Sequence, residues 1–194
     1  YVAGLSCIHV DNGDVYAGGF EQNAEGRNIA KIWKNGTPTI LSSNPGYIED
    51  IYVADGDVYA VGREWSSTAN KLAAKIWKNG VGANLTDGFA DASASGITVA
   101  GTDVYVVGYD GNFGKVWKNG SGTTLSVAGA NVSEVVGKSV AVHGKDVYVA
   151  GSYVGPVHGS PYGSHGALWK NGVETTLEIN DKLKNSNVYD VIVR

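Results

Sequence analysis

The chain has 194 residues, with 19 acidic and 15 basic side chains and a net charge of −4 at neutral pH. Neither sign of charge is gathered into a block, which argues against a nucleic acid or an anionic membrane as the partner. No apolar run is long enough to span a bilayer, so we expect one soluble domain over residues 1–194 without membrane insertion.

The glycine content and the turn dipeptides point to an all-β chain. Glycine occurs 28 times, methionine is absent, and Asn-Gly and Asp-Gly pairs are frequent. This profile is typical of short strands joined by tight turns. We therefore predict a fold with almost no helix.

The second of several repeated segments shows the predicted elements most clearly. A β-branched and aromatic run at residues 51–53 predicts a first strand, and residues 58–61 predict a second strand after an Asp-Gly turn. After a variable stretch, residues 74–78 predict a third strand. The Asn-Gly pair that follows suits a two-residue turn into a fourth strand, which ends at Leu85.

These four elements occur in four copies, marked by Asp-Val-Tyr in each second strand and Trp-Lys-Asn-Gly at the end of each third strand. We place the repeats at about residues 5–46, 47–93, 94–136 and 137–186, with a partial fifth copy of the first strand at 187–194. Four-stranded repeats are typical of propeller blades. We predict a β-propeller of four-stranded antiparallel blades, either a ring of four or part of a ring of five or more.

This order of strands and motifs resembles the tryptophan-aspartate repeat propellers over nearly the whole chain. It departs from that family in lacking the Gly-His pair and in the residue after each motif Trp, where Lys replaces the expected Asp at Lys34, Lys78, Lys118 and Lys170. It more closely resembles uncharacterised bacterial surface propellers with Val-Tyr-Val-Ala-Gly and Trp-Lys-Asn-Gly repeats. That resemblance implies a propeller fold and an extracellular or cell-surface location, and it implies no catalytic residues.

Folding explains most of the repeated residues. A large ring at one fixed strand position is what packing between blades requires, so we expect a structural core built from Trp33, Trp77, Trp117 and Trp169. We interpret the Asp and Tyr of Asp-Val-Tyr as turn and packing residues. A glycine that ends each second strand indicates a close backbone approach, at Gly18, Gly62, Gly108 and Gly151.

Candidate ligand-binding residues lie in the variable loops, which we expect on one face. Trp65 is the only Trp outside the motif, and Arg63 and Glu64 beside it could hydrogen-bond to a sugar stacked on the indole. The alternative is that the Trp65 ring covers a blade edge. The other candidates are Tyr109, Tyr153, His158, Tyr162 and His165. Four of these lie in a predicted long loop at residues 152–165, for which an insertion without function is the alternative.

No catalytic residue, metal site or cofactor is predicted. Glu21, Glu64 and Asp110 follow second strands and could converge as paired carboxylates, but we interpret them as solvated loop acids. The four His residues and Cys7 complete no metal-ligand set.

These observations predict a non-catalytic, lectin-like binding module of a secreted or surface protein that recognises a glycan. The alternative is a scaffold that binds another protein, including a homo-oligomer formed by strand sharing at an open blade edge. A glycoside-cleaving enzyme is the third hypothesis, and it needs two carboxyl groups about 5 to 10 Å apart in one pocket.

Overall fold

The computed structural model describes residues 2–128, 132–157, 160–175 and 186–193. Every regular element in these ranges is a β-strand, and every pair of neighbouring strands is antiparallel. The prediction of an all-β, antiparallel chain is confirmed. The described residues hold no helix with the length and apolar character that crossing a bilayer requires.

The strands form three sheets in which neighbours follow chain order. The first sheet contains β1 (Ala3–Asp11), β2 (Asp14–Gln22), β3 (Asn28–Lys34), β4 (Thr37–Ala54), β5 (Asp57–Ser66), β6 (Lys71–Lys78) and β7 (Val81–Asn84). The second contains β8 (Ala92–Ala100), β9 (Asp103–Asp110), β10 (Phe113–Lys118) and β11 (Ser121–Thr124). The third contains β12 (Ser133–His143), β13 (Asp146–Val157), β14 (Ser160–Lys170) and β15 (Val173–Thr175).

The long strand β4 belongs to two four-stranded units. Its residues 37–45 pair with β3, and its residues 46–54 pair with β5. For reference, we call these four-stranded units blades 1 to 4. Blade 1 ends and blade 2 begins within β4. The second and third sheets are blades 3 and 4. The sequence predicted two separate strands here, whereas the outer strand of blade 1 runs directly into the first strand of blade 2.

The C-terminal segment differs from the predicted fifth strand at 187–194. Its described part, residues 186–193, is not a regular strand. It lies along blade 4, where the Ser186 N–H donates to the Ser164 carbonyl at 2.7 Å and the Val191 N–H to the Ser139 hydroxyl at 3.3 Å. Residues 3 and 4 pair with β2 rather than with this segment. Blades 1 and 4 share no strand pairing in the described residues, so no ring closes there.

One hydrogen-bond network explains both sequence motifs. In blade 2 the Asp57 carboxylate accepts from the Lys78 ammonium and from the Asn79 amide, each at 2.7 Å. The Asn79 side-chain oxygen accepts the Val58 N–H at 2.9 Å, and the Lys78 ammonium lies 5.1 Å from the centre of the Tyr59 ring. The network, which we call the latch, ties the start of the second strand to the turn after the third.

The latch recurs in every blade. Its members elsewhere are Asp14 with Lys34 and Asn35, Asp103 with Lys118 and Asn119, and Asp146 with Lys170 and Asn171. All four Asn residues have a left-handed backbone, with φ near 50°, as type I′ hairpin turns require. The Lys after each Trp is therefore the partner of the Asp that opens the second strand.

A bulge in each first strand sets the position of the second-strand glycine. In blade 2 the register shifts between Ile48 and Asp50, and a Cβ on Gly62 would collide with the carbonyl oxygen of Tyr47. The same collision occurs at Gly108 and Gly151, but in blade 1 it occurs at Gly19. Gly19 is the fifth residue after Asp14, as Gly62 is after Asp57, so it is the equivalent glycine of blade 1. Gly18 is also closely approached by the next blade, because a Cβ on it would lie 2.5 Å from the Ile48 side chain of blade 2.

Apolar clusters between the blades form the core. Trp77 shares a cluster with Ala30 and Leu41 of blade 1, Trp117 with residues of blade 2, and Trp169 with residues of blade 3. These three Trp side chains are almost fully buried, and each packs against the preceding blade. Trp33 of blade 1 is only half-buried, because no described blade precedes it.

Replacing Trp117 by Ala should lower the free energy of unfolding by about 3 to 5 kcal/mol, because it empties an inter-blade core site. Trp33→Ala, the matched change in blade 1, should lower it by less than half as much, since that ring already contacts solvent. Urea unfolding followed by far-UV circular dichroism measures both. Equal losses of stability in the two variants would contradict the conclusion that the motif Trp stabilises the fold by packing against the preceding blade.

The latch predicts a loss of stability in acid. Lys78, and then Asn79, hold the pKa of Asp57 below its ordinary value of 3.8, and the pKa values of Asp14, Asp103 and Asp146 are lowered by equivalent partners. A lowered folded-state pKa stabilises the fold above the unfolded value, and this contribution disappears as the pH falls through the folded value. The urea concentration at the unfolding midpoint should therefore decrease as the pH is lowered below 3.8. The urea midpoint of the Asp57→Asn variant should decrease less in acid than that of the wild type. If the midpoints of the two proteins decreased in parallel with pH, the latch would be excluded as a cause.

Candidate functional site

A polar cleft of about 220 Å³ lies between blades 1 and 2. Asn44 of β4 lines it from the blade 1 side. Glu64 near the end of β5, Lys75 of β6 and Asn84 at the end of β7 line it from blade 2. Residues 66–68 add three hydroxyl-bearing side chains. The cleft thus combines hydroxyl, amide, carboxylate and ammonium groups.

The register of β5 and β6 places Glu64 beside Lys75. Lys75 lies opposite Gly62, and Glu64 is two residues further along β5, on the same face of the sheet. The Lys75 ammonium donates to Oε1 of Glu64 at 2.6 Å, and it also lies 5.6 Å from the centre of the Trp77 ring. This charge-assisted bond fixes the orientation of the carboxylate.

Glu64 is the only charged side chain that is buried in the described residues, with 8% of its surface exposed. Its second oxygen, Oε2, is buried and has no hydrogen-bond partner among them. Buried polar atoms are nearly always hydrogen-bonded, and an unpartnered one costs about 1 to 3 kcal/mol or more. The interpretation of Glu64 as a solvated loop acid is wrong. Its carboxylate is anchored on one side and lacks a partner on the other.

The corresponding position differs in every other blade. In blade 1, Glu21 pairs with Lys31, but its side chain is 38% exposed, against 11% for Glu64. Blade 3 has the partly buried Asp110, and there Lys115 donates to the Thr124 hydroxyl at 2.9 Å. The buried carboxylate with an unpartnered oxygen is found in blade 2 alone among the described residues.

The structure separates Arg63 from Glu64 and Trp65. Trp65 is half-buried and lines the cleft with Glu64. The Arg63 guanidinium instead lies 4.9 Å from the centre of the Tyr47 ring and 3.5 Å from the Glu49 carboxylate. Arg63 lies opposite Tyr47 in the pairing of β4 with β5, so the two side chains share a face.

The remaining candidates lie in blades 3 and 4. Tyr153 and His165 stack, with ring centroids 4.8 Å apart, and burial raises the pKa of Tyr153. Tyr162 is exposed and Tyr109 is half-buried in β9. His158 lies outside the described residues. The expected long loop at 152–165 is instead mostly the extended β13–β14 hairpin, because the two strands remain paired as far as Val157 and Ser160.

Two further titratable groups are half-buried for structural reasons. Asp50 accepts the Ile51 and Ile97 N–H groups at 2.8 and 2.9 Å, so it joins β4 to β8, and burial raises its pKa. Burial, followed by the charge of Asp50, raises the pKa of Cys7 to about 12, which keeps the thiol protonated. In the described residues no group of three or more His, Cys, Asp or Glu side chains could hold a metal ion.

Sequence reasoning missed Lys75, Asn44 and Asn84. A signal for Lys75 was present, since a Lys two residues before the motif Trp recurs at Lys31 and Lys115. The two Asn residues carry no such signal, because Asn44 inside β4 and Asn84 at the end of β7 meet only after the blades pack.

No protein-family model matches the sequence, and no curated protein matches it significantly. Among solved structures, the chain is similar to the native arabinanase Arb43A of Bacillus subtilis, with 13% identity and a TM-score of 0.46, covering 87% of this chain and 74% of the other. It is also similar to a GH43 endo-arabinanase from Bacillus licheniformis, with 12% identity and a TM-score of 0.45, covering 86% and 70%. We take neither a substrate nor a site residue from likeness at this level.

The comparison nevertheless corrects one prediction. Both solved structures are of enzymes, whereas the sequence predicted a non-catalytic, lectin-like module with a protein-interaction scaffold as the alternative. Against this finding that prediction is wrong.

Replacing Lys75 by Met should lower the free energy of unfolding by about 3 to 5 kcal/mol, because it leaves the Glu64 carboxylate buried without a counter-charge. Lys31→Met in blade 1 should cost about 1 kcal/mol or less, since Glu21 is partly solvated. Urea unfolding at neutral pH compares the two. Adding Glu64→Gln to Lys75→Met should restore most of the lost stability; no recovery would mean that the buried charge is not the cause.

Proposed function

We propose that the protein is an enzyme that hydrolyses a glycosidic bond, with the cleft between blades 1 and 2 as the substrate site and Glu64 as its proton-transferring carboxylate. The observation that carries this proposal is the state of Glu64, which is buried, anchored by Lys75 through Oε1 and unpartnered at Oε2. General base catalysis needs a carboxylate held in a fixed position with one oxygen ready to accept a proton.

The groups that line the cleft support a neutral, polyhydroxylated substrate. Ser66, Ser67 and Thr68 offer hydroxyls, and Asn44 and Asn84 offer amides, all of which donate and accept hydrogen bonds as sugar hydroxyls do. The two charged side chains of the cleft, Glu64 and Lys75, form an ion pair with each other, so the cleft favours neither an anionic nor a cationic substrate. Trp65 is also among the residues that line the cleft.

Glu64 is the one carboxylate among the described residues that line the cleft. In the proposed reaction, water attacks the anomeric carbon, Glu64 takes the proton of that water, and the leaving oxygen takes a proton from bulk water as its bond to the anomeric carbon breaks. Lys75 contributes by holding the carboxylate through Oε1, and so leaves Oε2 for the proton. The cleft hydroxyls and amides orient the sugar. Proton transfer by a positioned side chain contributes about 100-fold or more to a hydrolysis rate.

Glu64→Gln should reduce kcat/KM for glycoside hydrolysis by about 100-fold or more, because the amide cannot accept the proton. The substrates are a panel of neutral polysaccharides (arabinan, xylan, galactan and β-glucan), with release of reducing ends as the readout. Glu21→Gln is the matched control, since it removes the corresponding carboxylate of blade 1, and its rate should stay within about twofold of the wild type.

Circular dichroism and urea unfolding establish that both variants fold. Absence of hydrolysis by the wild type on the whole panel, or full activity of the folded Glu64→Gln variant, would overturn the proposed function.

A further inference from the structure

Five tight turns of the chain are formed by an Asn-Gly pair. Four of these pairs follow the Trp-Lys of the motif and supply the Asn of a latch, at Asn35, Asn79, Asn119 and Asn171. The fifth pair, Asn12-Gly13, joins β1 to β2 and belongs to no latch. In all five turns φ of the Asn lies between 48° and 54°, and φ of the Gly between 81° and 85°. The five turns therefore share one φ pattern.

The side chains of the five Asn residues are held differently. In the latch of blade 2, the Asn79 side-chain oxygen accepts the Val58 N–H at 2.9 Å and the amide donates to Asp57 at 2.7 Å. The other three latches repeat both contacts. The Asn12 side chain makes a single hydrogen bond in the described residues, from its amide to the adjacent Asp11 at 3.1 Å. No bond to the facing strand holds it.

The exposure of Asn12 is a property of its turn. Asn12 and Gly13 are exposed, and so are Asp55 and Gly56, which form the equivalent turn between β4 and β5. Blade 1 packs against blade 2 and leaves that second turn uncovered. Solvent therefore reaches these turns whether or not a blade lies in front of them.

An Asn-Gly pair that is open to water can lose the Asn amide. The glycine nitrogen, after hydroxide removes its proton, attacks Cγ of the Asn; the new C–N bond closes a cyclic imide, and the side-chain nitrogen leaves as ammonia. Glycine has no Cβ to obstruct this attack. Water then opens the imide at one of its two carbonyls, which gives Asp or isoaspartate. The net reaction consumes one water and releases one ammonia.

We infer that Asn12 is a site of covalent modification, converted to Asp or isoaspartate, and that the latches protect the other four Asn-Gly pairs. The attack requires the side chain to rotate until Cγ meets the Gly13 nitrogen, whose N–H has no hydrogen-bond partner among the described residues. At Asn12 this rotation breaks one hydrogen bond. At Asn79 it breaks two, one of them to a carboxylate that Lys78 also holds. The glycosidase proposal does not enter this argument.

The two products differ in their fit to the turn. Asp55 has φ of 51° at the equivalent position of blade 2, close to the 48° of Asn12, so an Asp in place of Asn12 keeps the hairpin. Isoaspartate lengthens the main chain by a methylene, which a two-residue type I′ turn does not accommodate. Both products add a negative charge between Asp11 and Asp14, and Asp14 is the carboxylate of the blade 1 latch. Conversion should thus loosen the first hairpin.

Peptide mass spectrometry of the folded protein tests the inference. The protein is incubated at mildly alkaline pH, where hydroxide promotes the attack, and is then digested with pepsin in acid, where the reaction is slow. Asn12 should convert about tenfold or more faster than each latch Asn, because two hydrogen bonds, one of them charge-assisted, hold each latch side chain. In urea all five pairs should convert at similar rates, because unfolding removes the latches.

Asp57→Ala is the matched variant, because it removes the acceptor of the Asn79 amide in blade 2 alone. Once circular dichroism establishes that the variant folds, Asn79 should convert faster in it than in the wild type, while the rates of Asn12 and Asn119 stay the same. The inference is overturned if the latch Asn residues of the folded wild type convert as fast as Asn12, or if Asn12 converts only in urea. An unchanged Asn79 rate in the folded variant would overturn the protective role of the latch.

Discussion

The latch between the Asp that opens each second strand and the Lys-Asn pair after each third strand is the constraint on which the rest of the structure depends. An exposed ion pair such as that between Asp57 and Lys78 contributes little free energy by itself. Its importance is geometric, because Asn79 also holds the Val58 N–H and so fixes the register of the two middle strands. With that register set, Trp77 is directed to one side of the blade and Tyr59 to the other. The contacts between blades follow from this division.

The sequence predicted the parts of the fold that are local. Four strands per repeat, the Asn-Gly turns and the burial of a Trp in blades 2, 3 and 4 all follow from spacing within one repeat. The continuity of β4 was not predictable, since no residue near Pro45 distinguishes one long strand from two. The glycine of blade 1 is a different case. Gly19, the fifth residue after Asp14, takes the place that Gly62 has after Asp57, whereas the sequence prediction named the neighbouring Gly18.

Part of the lining of the cleft was named from the sequence. Trp65 was a candidate because it is the only Trp outside the motif, and Glu64 because it stands beside Trp65; both line the cleft. Arg63 was grouped with them by proximity in sequence, but it lies opposite Tyr47 across β4 and β5 and its guanidinium contacts that ring. Lys75 was missed because its contact with Glu64 depends on the pairing of β5 with β6. Residues that meet across strands are available to sequence reasoning only after the register is known.

Packing between blades, rather than the motif itself, distinguishes Glu64 from its counterpart Glu21. Both acids follow a second strand and pair with the Lys two residues before a motif Trp. Glu64 is buried because blade 1 packs against that side of blade 2, and Asn44 on the blade 1 side lines the same cleft. Glu21 has the same local structure but no described blade in front of it, and it remains partly solvated. A common exposed ion pair therefore becomes a buried carboxylate with an unpartnered oxygen only where a preceding blade covers it.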